Sequence, residues 1–123
     1  LVMAAAVSDF QVANPHKGKL SRSTVPELKL SSTPDLLAAY TKQFPESFAV
    51  GFALVDQEEE VVKASRSKLV TKGAMVVIGN SIRSLEGSDT VVQYVDADSE
   101  VEISGTKDEV AREIMRRVAA QLS

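Results

Sequence analysis

Apolar and polar positions fall along this chain in unbroken runs, in a period of two, or in a period of three to four. Their order predicts strands alternating with helices. The first block, residues 1–7, is the apolar run LVMAAAV, closed by Ser8-Asp9. Such a run reads as a buried parallel strand that delivers a carboxylate at its carboxyl end, where open α/β sheets bind ligands. The alanines at 4, 5 and 6 suit two arrangements, close packing under a helix or close approach of a ligand to the backbone. Residues 11–24 show neither period and read as a long loop that gathers Lys17, Lys19 and Arg22 around Gly18. A cationic loop of this kind suits a lid over phosphate and equally a solvated connection.

Residues 27–30 alternate and predict a short, half-exposed strand. Thr33-Pro34-Asp35 then opens a helix. Thr33 serves as N-cap, Pro34 sits where its missing N–H costs little, and Asp35 lies near the positive end of the dipole. Leu36, Leu37, Tyr40 and Phe44 share one face, and Pro45 ends the helix. Free N–H groups at such a start also suit an anion or a base edge. Residues 48–55 form a nearly continuous apolar run broken by Gly51, as in a central parallel strand with a close approach at the glycine. Phe52, near its carboxyl end, fits the core or a stacked nucleobase. Asp56 with Glu59 predicts a capping pair for a helix over 57–72, stopped by Gly73. Lys68 and Lys72, four apart, project from one face near the negative end of that helix. The dipole favours them there, and so would an anion.

Residues 74–78 predict another buried strand, Gly79-Asn80 a turn, and residues 83–89 a polar loop. Residues 90–95 and 100–103 predict an antiparallel hairpin around 96–99, an exposed edge with Val91, Tyr94, Val101 and Ile103 nearby. Thr106 and Glu109 make a capping box. The last helix carries Val110, Ile114, Val118 and Leu122 on one stripe, with Arg112, Arg116 and Arg117 largely opposite. The expected architecture is one α/β domain over 1–123. It is Rossmann-like and three-layered, with a mainly parallel sheet, helices on both faces and an antiparallel hairpin at one edge.

A net charge of −3 and a pI near 5.2 argue against a general nucleic-acid binder. The chain has no cysteine, so disulfides, thiolate metal sites and thiol catalysis are excluded. The apolar runs are too short to span a bilayer, and a soluble, cytoplasmic protein without membrane partners is expected. His16, the only histidine, has no evident catalytic partner and reads as a surface loop residue. Asp96, Asp98, Glu100 and Glu102 lack EF-hand spacing and read as a solvated turn and strand face. The chain opens inside a strand, on Leu rather than Met, and reads as the C-terminal portion of a longer domain.

Several blocks in order carry a resemblance: Ala4-Ala5-Ala6-Val7-Ser8-Asp9-Phe10, Lys19-Leu20, Pro34-Asp35-Leu36-Leu37-Ala38, Val50-Gly51-Phe52-Ala53, Lys68-Leu69 with Lys72-Gly73, and Asn80. They resemble the AAAVxDF/Y, K-I-K, N-P-D-I-L-A, V-G-F-A, K-L-x-x-K-G and I-x-A-N motifs of phosphopantothenate–cysteine ligases, which form the second activity of bifunctional bacterial coenzyme A flavoproteins. The resemblance implies that CTP or ATP, with Mg²⁺, activates the carboxylate of 4′-phosphopantothenate as an acyl-nucleotide that the cysteine amine then attacks. It implies nucleotide contacts from Met3, Ala4, Ala5, Asp9, Lys19, Pro34, Asp35, Leu36, Leu37, Phe52, Lys68 and Lys72, with Ala6 and Asn80 as further candidates and Lys19 as the clamp on the intermediate. It also implies a homodimer, here through the hairpin, and no flavin in this stretch. The chain departs from the pattern at Ser21 for the loop's second lysine, Val55 for a glutamate and Ser81 for an aspartate, and F-x-S-D-x-N survives only as Ser88-Asp89. A ligase domain and a non-catalytic nucleotide-binding or assembly module of the same fold are therefore both carried forward.

Overall fold

The computed structural model describes residues 1–23, 27–85 and 89–123, divided between a smaller unit, Ala5–Asp35, and a larger one, Leu1–Ala4 with Leu36–Ser123. Thr24 and Ser88, which figure in the sequence reading, lie outside the described residues.

The smaller unit is built on β1 (Phe10–Val12) paired antiparallel with β2 (Leu30–Ser32), with Phe10 opposite Ser32 and Val12 opposite Leu30. The ladder runs on at both ends, where the Thr33 N–H donates to Asp9 O at 2.8 Å and the Ala13 N–H to Lys29 O at 2.9 Å. The start of the expected loop is thus strand, and the strand expected at 27–30 lies at Leu30–Ser32. Cross-strand pairing, which the alternation of one short segment does not report, sets such a register.

The larger unit begins with α1 (Leu36–Gln43), β3 (Val50–Val55) and α2 (Val61–Lys72), which a 3₁₀ turn at Glu58–Glu60 leads in. Next come β4 (Val76–Ser81), a 3₁₀ turn at Ile82–Leu85, β5 (Asp89–Asp96), β6 (Glu100–Thr106) and α3 (Lys107–Leu122). The sheet order is β3-β4-β5-β6, with β3 parallel to β4 and the other two pairings antiparallel. The sheet is therefore mixed, not mainly parallel. The α2 crossover returns the chain to the start of β4, whereas the short connection after β4 can only reverse direction.

Residues 1–7 do not form the expected buried strand. They pair with β3 through one parallel bridge, Val2 to Val50, and Ala4, Ala5 and Ala6 are exposed. Alanine is a poor strand former, with little side chain to pack on a pleated surface. Gly79 and Asn80 are not a turn either, because β4 runs on to pair Asn80 with Leu54 and Ser81 with Val55.

Period-two alternation divides the core into two layers. Val50, Val76, Ile78, Val92, Tyr94 and Ile103 meet Val110, Ile114 and Val118 of α3, with Phe48, Phe52 and Val101 packed alongside. On the opposite face Ala49, Ala53, Ala74 and Val77 meet Leu37 of α1, with Met3, Tyr40 and Leu69 against them. Helices on both faces are thus present. The hairpin also forms, longer than expected, with β6 at the edge of the sheet, while the Tyr94 and Ile103 side chains are buried under α3. Leu122 is 63% exposed and leaves the α3 stripe, because the helix outruns the sheet near the β5–β6 turn, where Gln121 Nε2 donates to Asp96 Oδ2.

Helix ends follow local chemistry in some cases only, and the Thr33 hydroxyl, expected to cap α1, makes no hydrogen bond among the described residues. The Thr106–Glu109 capping box opens α3, and Gly73, at φ 63°, closes α2. The Asp56–Glu59 pair does not cap α2, since neither Gln57 nor Glu60 makes a side-chain cap there. Glu58, Glu59 and Glu60 instead place negative charge at the positive end of the dipole. Asp96 holds the β5–β6 turn, accepting from the Ser99 N–H at 2.7 Å, the Asp98 N–H at 3.0 Å and Ser99 Oγ. Burial pushes its carboxyl up, but these bonds and the one from Gln121 hold it below the usual range. On α3, hydrogen bonds from Arg116 and Arg117 lower the Glu113 carboxyl to about 2.

One core group lacks a partner. The Tyr94 hydroxyl is buried and makes no hydrogen bond among the described residues, while the Arg117 guanidinium lies 5.7 Å from the ring centroid. Burial pushes the phenol above its ordinary value. A buried hydroxyl without a partner costs about 1–3 kcal/mol, whereas the cation–π contact needs only the ring. Tyr94→Phe should therefore leave the chain as stable or stabilise it by ~1 kcal/mol in urea denaturation. A loss above ~1 kcal/mol would reveal a hydrogen bond at that oxygen.

Candidate functional site

The carboxyl end of β3 is where the lysine pair gathers. Val50 exchanges hydrogen bonds with the chain start along the outer edge of the strand, its N–H donating to Leu1 O at 2.8 Å and its carbonyl accepting from the Met3 N–H at 3.0 Å. The next carbonyl on that edge belongs to Phe52, and it accepts from Lys68 Nζ at 2.5 Å. The lysine thereby satisfies an edge acceptor and fixes a positive charge beside the strand end.

Lys68 and Lys72 line one cavity of about 280 Å³ with Ser67, Thr71 and Ala64 of α2 and Ala53, Leu54 and Val55 of β3. Thr71 Oγ1 donates to Ser67 O at 2.9 Å, and the Lys72 carbonyl accepts from Thr41 Oγ1 at 2.5 Å, which ties the end of α2 to α1. Both lysines are half-buried. An α-helical spacing of four, a helix fixed by packing and a partly desolvated wall make this a cationic recess suited to phosphate oxygens.

A second cavity, of about 330 Å³, opens on the α3 face. Phe52, Ile78 and Val92 form its floor, Val110, Ile114 and Met115 its wall, and Asn80, Thr90 and Lys107 its polar positions. The Phe52 ring packs with the core on this side, whereas Lys68 stands on the α2 side. The structure therefore brings Lys68 and Lys72 together, and Phe52 with Asn80. It joins Phe52 to Lys68 through a backbone carbonyl only.

The remaining candidates are distributed as follows. Met3 is half-buried against the α1–α2 layer and Ala4 is exposed, both in the larger unit. Leu36 is exposed at the start of α1. Leu37 is core, 5% exposed, with its Cδ2 2.7 Å from where a side chain on Gly51 would begin. Its side chain is thus a packing residue, and the close approach at Gly51 seats it. Ala5, Ala6, Asp9, Lys19, Pro34 and Asp35 belong to the smaller unit and are exposed. There the Thr33–Asp9 bond sets Asp9 beside the residue preceding Pro34. Lys19 follows Gly18, at φ 106°, in the connection between β1 and β2, which also holds Lys17, Arg22 and the exposed His16.

Sequence reasoning missed Ser67 and Thr71, each one place before a lysine, although the repeated hydroxyl–lysine pair was visible. It also missed Thr90 and Lys107, which only the fold carries to one cavity. Val55 and Ser81 are cross-strand partners, so the two positions that depart from the acidic pattern are neighbours at the strand ends. Among the described residues no group of three or more acidic or histidine side chains could hold a metal ion. No helix among the described residues is long and apolar enough to cross a membrane.

A mixed sheet covered by helices on both faces, with a lysine-lined recess at the carboxyl end of its edge strand, defines a three-layer α/β domain. The chain belongs to the DNA/pantothenate metabolism flavoprotein C-terminal domain family, whose model matches residues 1–122. It is 31% identical over 100 residues to the coenzyme A biosynthesis bifunctional protein CoaBC of Thermococcus kodakarensis, a match covering 80% of this chain and 25% of that protein. Among solved structures it is similar to the C-terminal domain of a coenzyme A biosynthesis bifunctional protein CoaBC, at 25% identity and a TM-score of 0.73, covering 96% of this chain and 52% of that one. A Cab2 mutant in complex with phosphopantothenate-cysteine matches at 21% identity and a TM-score of 0.77, covering 96% and 42%. The flavoprotein from Streptococcus pneumoniae matches at 22% and 0.71, covering 83% and 45%. The chain thus spans a quarter of the curated relative and about half of the similar structures.

Proposed function

We propose that this chain is the nucleotide-handling portion of a phosphopantothenate–cysteine ligase of coenzyme A biosynthesis. The observation that carries the reading is the α2 recess, where Lys68 and Lys72 stand together at the carboxyl end of β3 within a family of pantothenate metabolism. In the proposed reaction a carboxylate oxygen of 4′-phosphopantothenate attacks the α-phosphorus of CTP or ATP, and pyrophosphate leaves. The cysteine amine then attacks the acyl carbon, expels the nucleoside monophosphate and loses a proton to give the amide. Such chemistry calls for charge neutralisation and alignment more than for a strong base, and fixed ammonium groups and backbone N–H groups supply both. Mg²⁺, for which the described residues offer no cluster of three or more acidic or histidine ligands, would arrive on the nucleotide's phosphates.

Within this reading Lys68 and Lys72 engage phosphate oxygens, and Lys19 closes on the charged intermediate. Met3, Ala4, Ala5, Asp9, Pro34, Asp35, Leu36 and Phe52 supply further nucleotide contacts. Titration of Mg·CTP and Mg·ATP into a protein that carries this chain at its relatives' full length tests it, with saturable binding of at least one nucleotide expected. Absence of binding to both at millimolar concentration would remove the reading.

The Val55–Ser81 pair supports a second reading, a nucleotide-binding module without catalysis, because neither of these two paired positions carries the carboxylate of the family pattern. Pyrophosphate release separates the two in a protein that carries this chain at the relatives' full length. The same proposal includes a homodimer formed through β6, whose outer edge has no strand partner among the described residues. Sedimentation equilibrium at micromolar concentration should give twice the chain mass. A strictly monomeric mass would exclude pairing through that edge.

A further inference from the structure

We propose that Gly79 and Ser65 form the joint that sets the height of α2 over the sheet and so positions Lys68. This inference rests on the reading of Lys68 as a nucleotide contact. A Cβ on Gly79 would stand 2.2 Å from Ser65 Oγ, 2.7 Å from Val61 Cγ1 and 3.4 Å from the Val61 carbonyl oxygen. Helix and strand therefore meet here at a distance that only glycine permits. The serine has no room to yield. It is fully buried, and its hydroxyl donates to Val61 O at 2.7 Å, so turning it away would strand a buried polar group.

Any side chain at position 79 must lift the helix, by roughly 1 Å, to restore ordinary contact. Lys68 lies one turn beyond Ser65 on the same inward side, and its ammonium reaches the Phe52 carbonyl from that seat. Raising α2 draws the ammonium away from the strand edge. Gly79 and Ser65 touch no ligand in this scheme and are positioning residues.

Gly79→Ala, the double variant Ser65→Ala with Gly79→Ala, and both combined with Lys68→Ala test the joint through two readouts. The first is the rate at which a water-soluble acylating reagent modifies Lys68, followed by mass spectrometry, with exposed Lys63 of the same helix as reference. Gly79→Ala should speed Lys68 modification several-fold relative to Lys63, and adding Ser65→Ala, which removes the nearest clash but leaves Val61 Cγ1 at 2.7 Å, should return it part of the way toward the wild-type ratio. The second is affinity for Mg·CTP or Mg·ATP. Gly79→Ala should weaken it by about tenfold, and by nothing further when Lys68 is already alanine, a non-additivity that general destabilisation would not produce.

An unchanged Lys68 modification ratio in folded Gly79→Ala overturns the inference, as does an additive loss of affinity. If Gly79→Ala does not fold, a folded double variant with Lys68 modification faster than wild type supports the joint, since Val61 Cγ1 still meets the new Cβ, and one with the wild-type ratio overturns it. A wild-type chain that binds neither nucleotide defeats the functional reading alone, because the modification rates still decide the joint.

Discussion

Lys68→Ala should raise the apparent nucleotide KM by about tenfold to a hundredfold while kcat changes little. A charge-assisted hydrogen bond contributes about 1.5–3 kcal/mol, and this ammonium is held in place before any ligand arrives. An interaction already organised in the ground state is lost equally from ground and transition states, and such a loss appears in KM. The substitution also removes the donor to the Phe52 carbonyl, but that acceptor lies on the sheet's outer edge, where water can replace it. Thermal unfolding should therefore shift by no more than a few degrees. Steady-state kinetics in a catalytically competent protein carrying this chain would check the split, and a fall in kcat at unchanged KM would show that Lys68 acts only in the chemical step.

Lys19→Ala should do the reverse and lower kcat by at least about tenfold, equivalent to ~1.4 kcal/mol in the transition state, with a smaller change in nucleotide KM. Lys19 is exposed in the connection between β1 and β2, directly after a glycine in the left-handed region, and no packing fixes its reach. Any contact it makes requires ordering of that connection, which a highly charged intermediate can offset better than the substrates. The pair of lysines thus separates by the rigidity of what carries them. Should Lys19→Ala weaken nucleotide binding and leave kcat intact, the clamp role is wrong and Lys19 belongs to the ground-state site.

The lysine recess was legible because an i, i+4 pair on a helix needs only local geometry to share a face. The same holds for the Thr106–Glu109 capping box, the stop at Gly73, and the Val110, Ile114 and Val118 stripe, each of which depends on neighbours within a turn. Leu37 and Phe52 were legible only as apolar positions. Whether Leu37 meets a ligand or Gly51, and which face the Phe52 ring takes, depends on strands and helices far away in the chain. Likewise, the motif at Asn80 did not show that β4 would run through it.

From its residues alone the chain fixes its class, its family and the order of most elements, because propensity, periodicity and turn chemistry are local quantities that a linear reading can sum. Three things were left to the tertiary structure. The pairing directions of the sheet follow from connection lengths acting in three dimensions. The alanine run lies outside the regular strands, joined to β3 by the Val2–Val50 bridge, a pairing that its own residues do not report. The placement of α2 rests on Gly79 beneath Ser65, a contact between residues that no local period links, where the absence of one carbon lets a helix come down to the sheet.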